Sequence, residues 1–274
     1  MSRRYVLECA DGTVWDFNNP ACPVSLRTEP TGTEGAEFTH DDQKNVGQAG
    51  VSWVARNDMP NVIGLDCKIG PVPKADALQL GKLWRHSLGR GKDVHVFRSI
   101  TDTGGEKFQY VRLASKFGPM DLRLLKDAGV QLNDPATLRS DETWWRKRPV
   151  VKAFKAVDLA TASITTESDE PVWPHIVITG PITLPKIGWA GELVPLPTIA
   201  AGDVWTIETD PNWFSIKDGA GTDRSWIARA WYKQIPAADD DTGFRTVPIT
   251  IQGTGTNTNT TVEVTVPQLF WEGF

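Results

Sequence analysis

The sequence has 274 residues, 40% of them hydrophobic and 23% charged, with a formal net charge of −5. This length suits one large or two ordinary domains, and the composition is typical of a globular chain. The mild acidity argues against general binding to nucleic acid or to anionic membranes, and no apolar run reaches the roughly 20 residues that a membrane helix needs.

The first nine residues carry positive charge without a long apolar core after it. We therefore expect no secretory signal and expect synthesis in the cytoplasm. The cysteines Cys9, Cys22 and Cys67 are odd in number and lack CxxC spacing. This pattern predicts buried or free thiols rather than a framework of disulfides.

The amino-terminal half predicts a series of short strands. Residues 4–7 and 13–17 form the first pair, with the Asp11-Gly12 turn between them. Residues 38–46 are rich in polar side chains and predict a loop. The other predicted strands of this half are residues 51–56, 62–69, 93–99 and 108–115.

Residues 74–88 predict a helix with one apolar face. The apolar residues at helical spacing are Ala77, Leu80, Leu83, Trp84 and Leu88. Asp76 suits the positive amino end of a helix, and Gly89 is placed to cap the carboxyl end. We expect this helix to pack on a sheet.

The middle of the sequence is less regular. Residues 120–125 predict a strand, residues 134–140 a short helical turn or an arm, and residues 144–159 a long strand broken near Pro149. Small and polar side chains then predominate, which is typical of a boundary between domains. The predicted domains are residues 1–165 and 166–274.

The carboxy-terminal part predicts strands alone. Seven short strands of this kind indicate a β-sandwich or jelly roll. They are residues 172–179, 187–195, 204–209, 213–217, 227–232, 246–252 and 261–266. The predicted fold class is therefore mainly β, with one helix in the first domain.

No arrangement of residues predicts catalysis, a cofactor or a bound metal. The four histidines lack the spacing of a zinc site, and the sequence has neither a P-loop nor a GxSxG nucleophile elbow. His40, Asp41 and Asp42 form the one His/carboxylate cluster, where a solvated loop is favoured over a metal or acid–base site. Residues 239–241 are three aspartates that lack the spaced ligands of an EF-hand, so we expect an exposed turn.

Several segments in this order resemble the distal tail proteins of long-tailed bacteriophages. The first is LxxLWRxxLGRGK at residues 80–92, within the predicted helix and its end. The others lie in the carboxy-terminal part: DEPVWPHIVITGP (169–181), LPTIAAGDVWTIETDP (196–211), RSWIARAW (224–231) and PQLFWEGF (267–274). The resemblance covers most of the chain.

The resemblance implies a split-barrel-like first domain and a galectin-like or jelly-roll sandwich as the second. It implies a structural protein of the virion without catalysis or cofactors, located at the tail tip. Six copies would form a ring through the first domain, with the second domain outside. The implied partners are the major tail tube protein, the tape measure protein and the tail-tip hub with other minor tail proteins. Neither sequence-specific nucleic-acid binding nor membrane insertion is expected.

The twelve tryptophans leave alternatives open, because tryptophan suits cores, protein interfaces and sugar-binding platforms alike. Trp144, Trp145 and Arg146 are candidates for a subunit interface, and an internal aromatic pair is the alternative. Trp189 and Trp213 are candidates for glycan contact, which would make the second domain a carbohydrate-binding module. A fragment of a glycoside hydrolase is a third, less favoured interpretation.

Overall fold

The computed structural model describes residues 3–120 and 130–274. Within these residues the chain is mainly β, with a single α-helix, as the sequence predicts. The chain divides into two compact units: Met1–Arg146 with Trp271–Phe274, and Lys147–Phe270. This division falls earlier in the chain than the predicted boundary at residue 165. None of the described helices has the length and apolarity for crossing a bilayer.

The first unit contains the helix α1 (Lys74–Ser87) and the first eleven strands. The strands are β1 (Arg3–Glu8), β2 (Val14–Asp16), β3 (Val24–Leu26), β4 (Phe38–Gln43), β5 (Ser52–Asp58), β6 (Val62–Leu65), β7 (Cys67–Val72), β8 (His95–Thr101), β9 (Gly105–Leu113), β10 (Val130–Asn133) and β11 (Ala136–Arg139). A twelfth strand, β12 (Trp145–Lys155), begins in this unit and continues into the second.

Antiparallel sheets build the first unit. The largest runs in the order β2-β1-β8-β9, with Leu7 opposite Phe97 and Phe97 opposite Gln109. Strand β9 also pairs with β11, which pairs with β6, and a separate sheet has the order β3-β7-β10. The antiparallel pairing of β8 with β9 thus confirms the hairpin predicted from residues 93–99 and 108–115.

Helix α1 confirms the predicted helix, but its buried face differs from the predicted one. Ala77, Gly81, Trp84 and Leu88 are buried, whereas the side chain of Leu83 is 45% exposed. Gly81 packs closely on this face, since a Cβ at this position would lie only 2.7 Å from Met120 Cε. The buried face of the helix therefore includes a glycine, and the spacing of apolar residues in the sequence does not reveal this.

Two predictions in the first unit are wrong. Residues 38–46, predicted as a loop, contain β4, and residues 134–140, predicted as a helical turn or arm, contain β11. Both strands are defined by pairing with partners elsewhere in the chain, β5 and β6, rather than by their own alternation. The strand predicted at residues 120–125 lies, apart from Met120, outside the described residues.

The second unit has one core between its sheets. Strands β13 (Ser163–Thr166), β14 (His175–Thr179), β15 (Thr183–Gly188), β16 (Val194–Pro195), β17 (Val204–Glu208), β18 (Ser215–Lys217), β19 (Arg245–Pro248), β20 (Thr250–Thr254) and β21 (Thr261–Phe270) follow in the chain. One sheet has the order β18-β17-β14-β21, a second β16-β15-β20, and β13 pairs with β19. Inward residues of all three form one apolar cluster, as in a sandwich.

The strand predicted at residues 227–232 is wrong. This segment follows a short 3-10 turn, Ser225–Ile227, and continues without regular structure. The buried Trp231 anchors this irregular segment, between the half-buried Ala230 and the exposed Tyr232. The strand predicted at residues 187–195 is likewise two separate strands, β15 and β16.

Candidate functional site

The hairpin of β4 and β5, here the 38–58 hairpin, is the most exposed regular element of the first unit. Every residue of β4 is exposed, and in β5 Ala55 alone is half-buried. The two strands form a sheet of their own. A two-stranded ribbon in water has marginal stability and unpaired backbone groups along both edges. This hairpin therefore offers a surface for docking.

A cluster of aromatic rings and an arginine anchors the base of the hairpin. The Phe38 and Trp271 ring centroids are 6.0 Å apart, and the Arg56 guanidinium lies over both rings at 5.2 and 4.9 Å. Gly35 packs against the same indole, where a Cβ would approach Trp271 Nε1 to 2.1 Å. The base is thus held in place, and the exposed strands extend from it.

The three predicted interface residues have different environments. Trp145 is fully buried and packs against Phe97, with ring centroids 6.0 Å apart. Its indole therefore does not present a surface to another subunit, which corrects that part of the prediction. Trp144 is half-buried and meets Trp271 edge-on at 5.2 Å, and Arg146 Nε donates to Glu142 at 2.6 Å. For Trp144 and Arg146 an interface role stays a prediction.

A cationic pocket of about 550 Å³ lies between the end of α1 and the segment after β9. Its basic side chains are Lys82, Arg85, His86, Arg90 and Lys116. Leu113 and Phe117 supply apolar wall, and the Arg85 guanidinium lies over the Phe117 ring at 4.9 Å. The pocket is a concentrated positive region on a chain of net negative charge.

The backbone around Arg90 places this side chain at the pocket. Gly89, Arg90 and Gly91 have φ of 58°, 55° and 79°, all in the left-handed region. For a residue with a Cβ this conformation costs roughly 1 kcal/mol. The flanking glycines adopt it freely, so the turn after α1 depends on them.

The two predicted glycan-contact residues also have different environments. Trp189 is buried, its ring stacks on Trp231 at 5.9 Å, and its Nε1 donates to the Lys233 carbonyl at 2.8 Å. It therefore has no face for a sugar, which corrects the prediction. Trp213 is 75% exposed and Trp226 is 80% exposed. A glycan contact at Trp213 stays a prediction, and Trp226, Tyr232 and Phe244 are further exposed aromatic side chains in this unit.

A buried carboxylate organises the irregular segment next to these residues. Glu192 accepts hydrogen bonds from Arg229 Nη1 at 2.5 Å and from the backbone N–H groups of Tyr232 and Lys233 at 3.0 and 2.9 Å. Burial raises the pKa of Glu192, but these donors outweigh it and hold the pKa below its ordinary value. The role of this carboxylate is structural, because all its partners belong to the segment it holds.

No three His, Cys, Asp or Glu side chains in the described part of the chain are placed to hold a metal ion. His40 accepts a hydrogen bond from Trp53 Nε1 at 3.2 Å in the hairpin, and His95 is buried, which lowers its pKa. Asp239 binds Arg245 across a turn. His40 and Asp239 thus have structural partners.

Sequence reasoning missed the hairpin and the pocket. The hairpin is polar and carries few strand-forming residues in β4, so only its exposed aromatic and aliphatic residues, such as Trp53 and Val54, could have signalled an interface. The basic residues of the pocket come from two separate segments, and the fold brings Lys116 next to those of residues 82–90.

Comparison with known proteins gives structural matches alone: no protein-family model and no curated protein sequence matches the chain. The SPP1 Dit (gp 19.1) protein, whose crystal structure is described as a paradigm of the hub adsorption apparatus in phages infecting Gram-positive bacteria, is 11% identical in sequence to this chain. It matches with a TM-score of 0.62 over 98% of this chain and 100% of that one. Chains of the phage P2 baseplate in its activated conformation, with Ca and with Sr, are 13% and 12% identical. Each has a TM-score of 0.51 and covers 98% of both chains. The chain therefore has the fold of these proteins.

Proposed function

We propose that the chain is a structural virion protein of a long-tailed bacteriophage, located at the distal end of a non-contractile tail. Its copies form a closed ring of six subunits that joins the tail tube to the baseplate or tail-tip hub. The observation that carries the proposal is the likeness to SPP1 Dit along the whole length of both chains. A match of one domain would support much less.

The surface of the first unit suits such a ring. A head-to-tail ring needs two different patches on each subunit, which meet by rotation. The 38–58 hairpin and the cationic pocket are two different exposed patches of the first unit. Trp144, which contacts Trp271 at the hairpin base, and Arg146 are both half-buried and would contribute at the rim of the contact.

The location is tested on virions of the phage that encodes this sequence. Gold-labelled antibody against the purified chain is expected to mark the tail tip in electron micrographs. Co-expression with the tube protein and the hub protein is expected to give a complex that contains all three. Label on the capsid or along the whole tail shaft would contradict the proposed location.

We also propose that this role involves no catalysis. Support comes from the matched structures, which are a protein of a hub adsorption apparatus and a chain of a baseplate. The test is incubation of the purified chain with bacterial cell-wall glycans. Unchanged glycan is expected, and release of reducing sugar would contradict the proposal and restore the hydrolase interpretation.

A second candidate function is glycan binding by the second unit. The observation that favours it is the exposure of Trp213 and Trp226, because aromatic faces in water can stack on sugar rings. Binding on a glycan array, lost in Trp213→Ala and retained in Trp53→Ala, an equally drastic change in the exposed hairpin, would support it. Absence of binding on the array would contradict glycan binding, and the structural role would then be the one proposed function.

A further inference from the structure

From these surfaces we infer that the 38–58 hairpin of one copy docks into the cationic pocket of the next copy, with Asp41 and Asp42 facing Lys82 and Arg90. The inference rests on the proposed ring and names the contact that closes it. Both surfaces belong to the first unit, and each is open in the single chain.

The hairpin has the properties of an arm that is completed by a partner. Seven residues of extended chain span roughly 23 Å, which is enough to reach a neighbouring subunit. Trp53 and Val54 are exposed on it beside the two aspartates. Leaving these apolar side chains in water is unfavourable, and so is leaving both ribbon edges unpaired. Docking removes both costs.

The pocket has the complementary properties. Arg85 is neutralised by Asp134, whereas Lys82, Arg90 and Lys116 form no ion pair with any described residue. Phe117 and Leu113 give it an apolar wall. A ligand with two carboxylates next to an aromatic or aliphatic side chain would satisfy both features.

The hairpin supplies that combination. Asp41 and Asp42 are exposed and, among the described residues, neither forms an ion pair. Opposite charges across an interface favour encounter and fix its register. Because the donor and acceptor surfaces differ, the contact is heterologous and repeats around a ring instead of ending at a dimer.

Charge reversal tests the docking in the full chain. The arm variant is Asp41→Lys/Asp42→Lys and the pocket variant is Lys82→Glu/Arg90→Glu. Each is expected to convert the ring to monomers in native mass spectrometry, and the chain that carries all four changes is expected to recover the ring. Asp240→Lys/Asp241→Lys is the matched control, since it makes the same change of charge on an exposed turn of the second unit and should leave the ring intact.

Disulfide trapping gives a second readout that does not need a stable ring. Full-length chains with Asp42→Cys and with Arg90→Cys, both in a Cys22→Ser background, are mixed and oxidised. A mixed dimer is expected, and neither variant alone should give the same yield. Circular dichroism of every variant must match that of the parent chain.

The outcomes separate the two proposals. A ring that survives both charge reversals overturns the docking and leaves the ring proposal standing. A mixed disulfide without any ring supports the docking and contradicts ring formation by the chain alone. Absence of both ring and mixed disulfide contradicts both, and a ring lost equally in the control variant also overturns the docking.

Discussion

Arg85 and Asp134 form a two-point ion pair, with Arg85 Nε 2.8 Å from Oδ2 and Nη2 2.5 Å from Oδ1. The Asp134 side chain is only 3% exposed, and the pair joins helix α1 to the residue that follows β10. The same guanidinium lines the cationic pocket. One residue therefore links the stability of the first unit to the shape of its proposed docking surface.

Removing Arg85 should destabilise the first unit more than removing its exposed neighbours. Arg85→Ala leaves a buried carboxylate without a counter-ion, which we expect to cost about 3 kcal/mol of unfolding free energy. Urea unfolding followed by circular dichroism measures it. Lys82→Ala, on the same pocket but exposed, should change the free energy by less than about 0.5 kcal/mol. Equal effects of the two changes would contradict this account of the pair.

Replacing a buried and an exposed tryptophan of the second unit should have different effects on its unfolding free energy. Trp189→Ala removes a buried ring that stacks on Trp231, so we expect a loss of about 3–5 kcal/mol in the unfolding free energy of this unit. Trp213→Ala removes an exposed ring and should cost less than about 0.5 kcal/mol. Thermal unfolding monitored by calorimetry resolves both. A large loss from Trp213→Ala would show that this ring is packed.

Glu192 should make the second unit sensitive to acid. Its folded pKa lies below the ordinary value of 4.5, so its contribution to stability is present above that pH. This contribution is lost as the pH falls through the lower, folded-state pKa. We expect Glu192→Gln to cost about 1–3 kcal/mol at pH 7, because a charge-assisted hydrogen bond to Arg229 is lost.

The difference between the parent chain and Glu192→Gln isolates this carboxylate from the other acids that titrate in the same range. Urea unfolding at a series of pH values from 7 to about 3 gives that difference directly. It should be largest near neutrality and shrink on acidification below the ordinary glutamate pKa. A difference that is constant across the series would rule out the assigned role.

The cysteines should react in order of burial. Burial raises the pKa of Cys9 to about 11 and raises that of Cys67 further, so both thiols are protonated and shielded at pH 8. Cys22 is half-buried and should be the first thiol of the folded chain to react, but slowly, because burial also raises its pKa. Titration with a thiol reagent, before and after unfolding in guanidinium, measures this. Rapid reaction that persists in Cys22→Ser would contradict it.

Elements with local signals could be predicted from the sequence. The helix was marked by its apolar spacing and by Gly89, which takes the left-handed conformation just after the helix end. Strands β8 and β9 were marked by alternation, since one side of each faces the core. In these cases the residues of one segment carry the information.

Elements that depend on distant partners could not be predicted in this way. Strand β4 is FTHDDQ, polar on both faces, and exists because β5 pairs with it. The sequence alone could not distinguish the buried Trp145 from the half-buried Trp144, because Trp145 is buried by packing against Phe97 on another strand. The pocket likewise combines residues of α1 with Lys116, which only the fold brings together.

The central claim is that copies of this chain close into a ring. The most direct test is the native mass of the purified chain, with negative-stain images of the same sample. We predict a single assembly of six subunits with an open central channel. A chain that stays monomeric at every concentration up to its solubility limit, or that stops at a dimer, would contradict ring formation by this chain.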